Sequence, residues 1–176
     1  MTAPEFNPPT EDPILSPEEI GKRFLKLIES LESREDLSLE RVEEATGLSL
    51  LQASGKNYYG YGQELTGGGF YAFWFYPEEH GGKRGIRLDF EQEGDSSSSM
   101  KAVCALDFDH YHGALKAMGF VDNPTYGEIG QLEYWRYTKF KKSDGAADMT
   151  ITIIPQNVMA GEVARLCVKA IHAELN

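Results

Sequence analysis

The stretch from Tyr58 to Tyr76 holds nine of the twenty aromatic residues of this chain, and it constrains the fold more than any other feature. Six of the seven residues from Phe70 to Tyr76 are aromatic. A strand that is buried on one face needs an apolar side chain only at every second position. The run therefore predicts either a strand between two packed layers or a strand that shows an aromatic face to a partner.

Length and composition indicate one folded domain. A chain of 176 residues, 41% of them hydrophobic, can bury a sizeable core. Its apolar runs fall short of the roughly 20 residues that a membrane-spanning helix needs, and its N-terminus lacks the pattern of a secretory signal. We therefore expect a cytoplasmic protein with no membrane association. Cys104 and Cys167 are too few for a disulfide scaffold, and we expect both to behave as small buried hydrophobic residues.

The charge balance is acidic and uneven. The chain has 17 basic and 28 acidic residues, which gives a formal net charge of −11. Twelve of the acids, against five bases, precede residue 46. Such a surface repels phosphate backbones, so nucleic-acid binding is disfavoured. The same charge would steer a basic protein partner towards the chain, although it can also serve solubility alone.

The order of the predicted elements favours an α+β fold with a largely antiparallel sheet. Strands and helices do not alternate in a repeating βα pattern, so the sheet should pack against the N-terminal helices and one or two further helices. Residues 1–14 are rich in proline and should form an extended or disordered arm. Residues 15–176 should form the single domain.

Capping residues define three helices. The first helix should begin with Ser16 as its N-cap, Pro17 at its first helical position and Glu19 closing a capping box. A second helix should run from Leu39 to Thr46, between a Ser38 cap and Gly47. Asp107 should cap a third, which ends at Met118.

Alternation and turn residues define the strands. For residues 162–175 the pattern allows a helix or a final strand, and the apolar spacing favours the helix. The predicted strands cover residues 48–54, 57–65, 70–76, 85–93, 102–106, 132–140 and 149–154.

No group of residues has the pattern of a catalytic or metal site. The segment Asp107–His112 holds two carboxylates and two imidazoles, but His110 and His112 would point about 200° apart on a helix. His80 follows two glutamates in a glycine-rich turn that offers no support for acid–base chemistry. Phosphate-loop and nucleophile motifs are missing from the sequence. We predict no catalytic residues, no metal site, no cofactor and no enzymatic activity.

The aromatic and acidic residues around the Phe70–Tyr76 run are the best candidates for a binding surface. Aromatic rings serve as rigid anchors, and carboxylates would meet lysines and arginines on a partner. The alternative is that the rings belong to the core and the acids to a solvated rim, and exposed rings would also suit a homodimer. The predicted partner-binding residues are Tyr59, Tyr61, Trp74, Tyr76, Glu78, Glu79, Asp89, Glu91 and Glu93.

The segments SPEEIGKRFLKLI, TGLSLLQ, FYAFWFYPEE, CALDFDHYHGALKAMGF and DMTITIIPQN span most of the chain. In general form the chain resembles a cytoplasmic immunity protein of the bacterial polymorphic-toxin and contact-dependent competition systems. The resemblance implies tight binding to one cognate toxin, often an enzyme with a basic active-site cleft, and neutralisation by occlusion of that cleft. The alternatives are an adaptor or chaperone of a secretion system that cradles an effector's apolar segment, and a small enzyme that uses His80 or the Asp109/His110 region.

Overall fold

A computed structural model of the protein describes residues 14–92, 103–156 and 166–176. These residues form three α-helices and an eight-stranded antiparallel sheet, so the predicted α+β class is confirmed. None of these helices has the length and apolarity that a membrane crossing requires. The predicted arm lies outside the described residues apart from Ile14, which is 89% exposed. The helices are α1 (Pro17–Ser30), α2 (Leu39–Thr46) and α3 (Phe108–Ala117), and the strands are β1 (Leu51–Gln52), β2 (Tyr59–Leu65), β3 (Gly69–Tyr76), β4 (Arg84–Gln92), β5 (Val121–Tyr126), β6 (Leu132–Phe140), β7 (Ala147–Pro155) and β8 (Val168–Leu175).

The sheet consists of two antiparallel meanders that meet at its centre. The strand order is β1-β2-β3-β4-β8-β7-β6-β5, so each meander of four consecutive strands contributes its last strand to the junction. At that junction Ile86 lies opposite Ala173 and Leu88 opposite Ile171. Helices precede both meanders, so the two halves of the chain share one topology that is not visible as a repeat in the sequence.

The predicted caps begin and end the helices. The Ser16 hydroxyl accepts a hydrogen bond from the Glu19 N–H at 3.1 Å, and Pro17 occupies the first turn of α1. Ser38 caps α2 in the same way, and Gly47 ends that helix in the left-handed conformation at φ 73°. Asp107 accepts from the His110 N–H at the start of α3.

All three helices pack on one face of the sheet, which we call the inner face. The Phe24 ring of α1 lies 5.8 Å from the Phe73 ring of β3. The Phe108 ring of α3 lies 4.8 Å from the Trp135 ring of β6. Helix α2 packs on α1, where the Arg23 guanidinium donates to the last backbone carbonyl of α2. No described helix covers the opposite face, which we call the outer face.

The predicted C-terminal helix over residues 162–175 is wrong in its described part. Val168–Leu175 forms β8, which pairs with β4 on one side and with β7 on the other. Ile171 and Ala173 face inward and are fully buried. Alanine and glutamate favour helices in isolation, but two strand partners and a buried position outweigh that preference.

Three smaller predictions also need correction. Residues 103–106 form no strand, although Asp107 bridges to Cys167. Of the predicted strand 48–54, only Leu51 and Gln52 are paired. Strand β5 was not among the predicted strands, and its Pro124 is tolerated because β5 is an edge strand.

Cys104 and Cys167 form a disulfide, which corrects the prediction of two free hydrophobic cysteines. The bond joins the segment before α3 to the segment before β8, across a sequence separation of 63. The Phe108 N–H donates to the Leu166 carbonyl at 2.8 Å beside it. Closing a loop of this length stabilises the folded state by about 4 kcal/mol in the chain-entropy treatment.

Candidate interaction face

The two-residue period of β2 and β3 divides the aromatic run between the two faces of the sheet. Tyr59 lies opposite Phe75, and Tyr61 lies opposite Phe73, so both tyrosines belong to the inner face. Tyr61 is only 3% exposed, so its predicted role as a surface anchor is corrected to a role in the core. Tyr59 is half-buried and packs against the same core.

Trp74 and Tyr76 lie on the outer face, where Tyr58 joins them. The Tyr58 ring is 5.8 Å from the Trp74 ring and 5.6 Å from the Tyr76 ring. We call these three half-buried side chains the aromatic row. Trp74 lies opposite Gly60 in the register of β2 against β3. Sequence reasoning missed Tyr58, although its position next to the inward Tyr59 was a sufficient signal.

Two exposed glutamates flank Phe70 on the outer face. Phe70 of β3 has Glu64 of β2 on one side and Glu91 of β4 on the other. Neither carboxylate forms an ion pair with a described residue. Glu91 was predicted and Glu64 was not. We call these two residues the acidic flank.

The remaining predicted acids differ in what they can offer a partner. Asp89 is already bonded to the Arg87 guanidinium at 2.8 and 3.0 Å, so its charge is largely neutralised. Glu78 is exposed just after β3. Glu79 is half-buried and bonded to His172. Glu93 lies outside the described residues.

The Tyr76 hydroxyl stays neutral over the physiological range. Burial raises the pKa of Tyr76 to about 12, while the nearby Arg87 acts in the opposite direction. On the inner face, burial also raises the pKa of Tyr111 and of Tyr137. Tyr76 can therefore act at the surface as an amphipathic ring with a hydroxyl that donates and accepts hydrogen bonds.

Two histidines of the Asp107–His112 segment point to different places. His112 packs between Phe108 and Trp135, and its Nδ1 lies 2.8 Å from the Tyr137 hydroxyl. His110 instead lines a recess of about 440 Å³ between α1 and α3. Structural packing and helix capping therefore explain the Asp107–His112 segment. The described residues that line the recess do not form a nucleophile–base pair. They are Lys22, Leu25, Lys26, Glu29, His110, Ala114, Ala117 and Met118.

The sheet brings together one polar cluster that the sequence did not reveal. The His172 Nε2 lies 3.1 Å from the Glu79 Oε1. Glu174 lies on the same face of β8, and one possible ligand atom from each of the three residues lies within 4.8 Å of the others. Glu79 and His172 are 93 residues apart, so only the strand register makes them neighbours.

The chain matches no protein-family model, no curated protein and no solved structure.

Proposed function

We propose that this protein is an immunity protein that binds and neutralises a cognate bacterial toxin domain. The contact surface is the outer face of β2, β3 and β4, and occlusion of the toxin's active site is the means of inhibition. The protein itself acts by binding and catalyses no reaction.

One observation carries the proposal: the outer face presents a row of three half-buried aromatic rings. Tyr58 contacts both Trp74 and Tyr76, so the rotamers of these rings are restrained before a partner arrives. Rigid aromatic anchors lose little conformational entropy on binding, which is why such residues dominate binding energy at interfaces. The inner face has its own full set of aromatic residues, so the core does not require these rings.

Charge supports a basic partner. The acidic flank lies on the same outer face as the aromatic row, and the whole chain has a net charge of −11. A negative surface accelerates the approach of a basic protein and discriminates against acidic ones. A toxin with a basic active-site cleft would meet both requirements.

The disulfide bears on the compartment in which the protein acts. We predicted the cytoplasm, whereas disulfides are typical of oxidising compartments, so the redox state of Cys104 and Cys167 in cells tests that prediction. Alkylation of free thiols in freshly lysed cells measures the state of the pair. Protection of both cysteines from alkylation would exclude a reducing cytoplasm as the site of action, and rapid labelling would support it.

The functional test measures the growth of cells that express the C-terminal domain encoded by the adjacent upstream gene, as a candidate toxin, with and without this protein. We expect co-expression to restore growth, and the purified pair to form a complex in which the toxin is inactive. A stable complex in which the toxin keeps its activity would instead identify an adaptor or chaperone. An upstream product that neither binds nor is inhibited would contradict the proposal.

The contact surface is tested by reversing the acidic flank. Glu64→Lys combined with Glu91→Lys should slow association with the toxin by about tenfold at low salt, and it should flatten the salt dependence. The matched control combines Glu29→Lys and Glu40→Lys, which make the same change of net charge on exposed residues of the helical layer. Equal effects of the two double variants would show that the outer face is not the interface.

A further inference from the structure

Glu79, His172 and Glu174 form a cluster that the proposed function does not use. Glu79 lies in the connection between β3 and β4, and the other two residues lie on the outer face of β8. The three side chains are half-buried, with exposed fractions of 18% for Glu79, 21% for His172 and 32% for Glu174. An imidazole between two carboxylates offers one nitrogen and several oxygen ligands at a single point.

The spacing of these atoms suits a single small cation. Zinc binds histidine nitrogen and carboxylate oxygen at about 2.0–2.2 Å in tetrahedral geometry, so two of its ligand atoms lie about 3.4 Å apart. The His172 Nε2 and the Glu79 Oε1 are separated by 3.1 Å. All three candidate ligand atoms lie within 4.8 Å of one another. One ion could therefore reach all three after small side-chain adjustments.

A second observation also points to a ligand at Glu79. The Glu79 Oε2 is shielded from solvent and has no hydrogen-bond partner among the described residues. A buried carboxylate oxygen without a partner raises the free energy of the folded state, so a cation or a hydrogen-bond donor at this atom would be stabilising. Gly85 leaves the space that this oxygen occupies, because a Cβ on residue 85 would lie 2.3 Å from the Glu79 Oε2.

The surrounding structure holds the ligands in place. Strand β8 lies between β4 and β7, which fixes His172 opposite Arg87 and Glu174 opposite Gly85. The Glu79 N–H donates to the Lys83 carbonyl at 2.6 Å and closes the connecting turn. The edge of the Tyr76 ring lies against the His172 ring, with centroids 6.3 Å apart.

Lys83 is a cation that competes for this position. Its Nζ lies 3.7 Å from the Glu174 Oε2, and its side chain is 39% exposed. A flexible lysine near the surface can swing into solvent when a divalent ion arrives, since such ion pairs contribute little.

We propose that Glu79, His172 and Glu174 bind a divalent transition-metal ion, with Zn²⁺ preferred over Mn²⁺. Imidazole suits zinc, and the general order of affinities places Zn²⁺ above Mn²⁺ for such mixed ligands. Mg²⁺ prefers an all-oxygen octahedral shell and is excluded by the imidazole. The three protein ligands leave at least one position for water or for a group from a partner.

The test is isothermal titration calorimetry of the tag-free full chain with ZnCl₂, MnCl₂ and MgCl₂. We expect one Zn²⁺ per chain, weaker binding of Mn²⁺ and no heat with Mg²⁺. His172→Gln and Glu79→Gln should each weaken Zn²⁺ binding by at least about tenfold, since even outer-shell partners of a metal contribute that much. Lys83→Met should strengthen binding, and Gly85→Ala should weaken it by displacing the Glu79 carboxylate.

Glu91→Gln is the matched control, because it removes one carboxylate from the same face without touching the cluster. Zn²⁺ affinity should be unchanged in this variant. Glu174→Gln, at the most exposed of the three ligands, provides a further ligand variant if His172→Gln fails to fold. The proposal is overturned if Zn²⁺ binds no tighter than millimolar, or if the ligand variants bind it as well as Glu91→Gln does. Either outcome would leave the proposed toxin binding intact, because the growth test does not depend on the metal.

Discussion

Phe73 and Trp74 are neighbours in the sequence, but they lie on opposite faces of the sheet and are buried to different degrees. Phe73 is completely buried and packs against Phe24 of α1. Trp74 lies half-buried on the outer face beside Tyr58. The inner face is apolar because the core demands it. The outer face has aromatic residues that only half bury their side chains, and the proposed function assigns them to binding.

The largest expected effect on stability tests the difference between the two faces. Phe73→Ala should lower the free energy of unfolding by about 3–5 kcal/mol, because it leaves a cavity in the core. Trp74→Ala should cost about 1 kcal/mol, because its side chain is only half-buried. Urea denaturation measures both values, and binding to the toxin provides the second readout. Trp74→Ala should weaken binding by about 2 kcal/mol or more, as expected for an aromatic anchor.

The opposite pattern would refute the assignment of the two faces. If Trp74→Ala destabilised the fold as much as Phe73→Ala, the indole would be a core residue. If it folded normally and bound the toxin like the wild type, the aromatic row would not be the anchor.

A second contrast lies within the helices that cover the inner face. A Cβ on Gly21 of α1 would lie 2.3 Å from the Tyr111 hydroxyl oxygen and 2.8 Å from Leu106. Gly21→Ala should therefore destabilise the protein by about 1–3 kcal/mol through overpacking, although alanine favours helices. Gly113 of α3 has nothing within 4 Å of such a Cβ, so Gly113→Ala should stabilise by up to about 1 kcal/mol. Thermal unfolding distinguishes the two, and a stabilising Gly21→Ala would show that α1 and α3 pack loosely.

These contrasts also show which parts of the fold a sequence can predict. Local signals succeeded: Ser16 and Gly47 define helix ends through bonds to residues a few positions away. Alternation also succeeded for β4, where Ile86 and Leu88 face inward. Strand β8 failed because its pairing partners are distant in sequence, and nothing local in VKAIHAEL outweighs the helical spacing of its apolar residues.

The candidate sites were predictable to different degrees. The position of Trp74 and Tyr76 on a second face was predictable because an aromatic at nearly every position implies two faces. Tyr61 was misplaced because the register of β2 against β3 was needed to tell which face it occupies. The Glu79–His172 contact and the disulfide both join residues more than sixty positions apart, and only the assembled sheet brings those residues together.

The smallest expected effect concerns the stability of the protein at alkaline pH, where the Tyr76 phenol ionises. Burial raises the pKa of Tyr76 from 10.0 to about 12. Below pH 10 the phenol is neutral in both the folded and the unfolded chain, so its contribution to stability is fully present. Between pH 10 and 12 the unfolded chain ionises first, so stability is lost as the pH rises. The wild type should thus lose stability relative to Tyr76→Phe over this interval, by a small amount because solvent partly screens the site.

The difference in absorbance at alkaline pH between the two proteins should show one phenol with a midpoint near 12. A midpoint near 10 would mean that water surrounds Tyr76 completely, and that the aromatic row is not held in place before a partner binds.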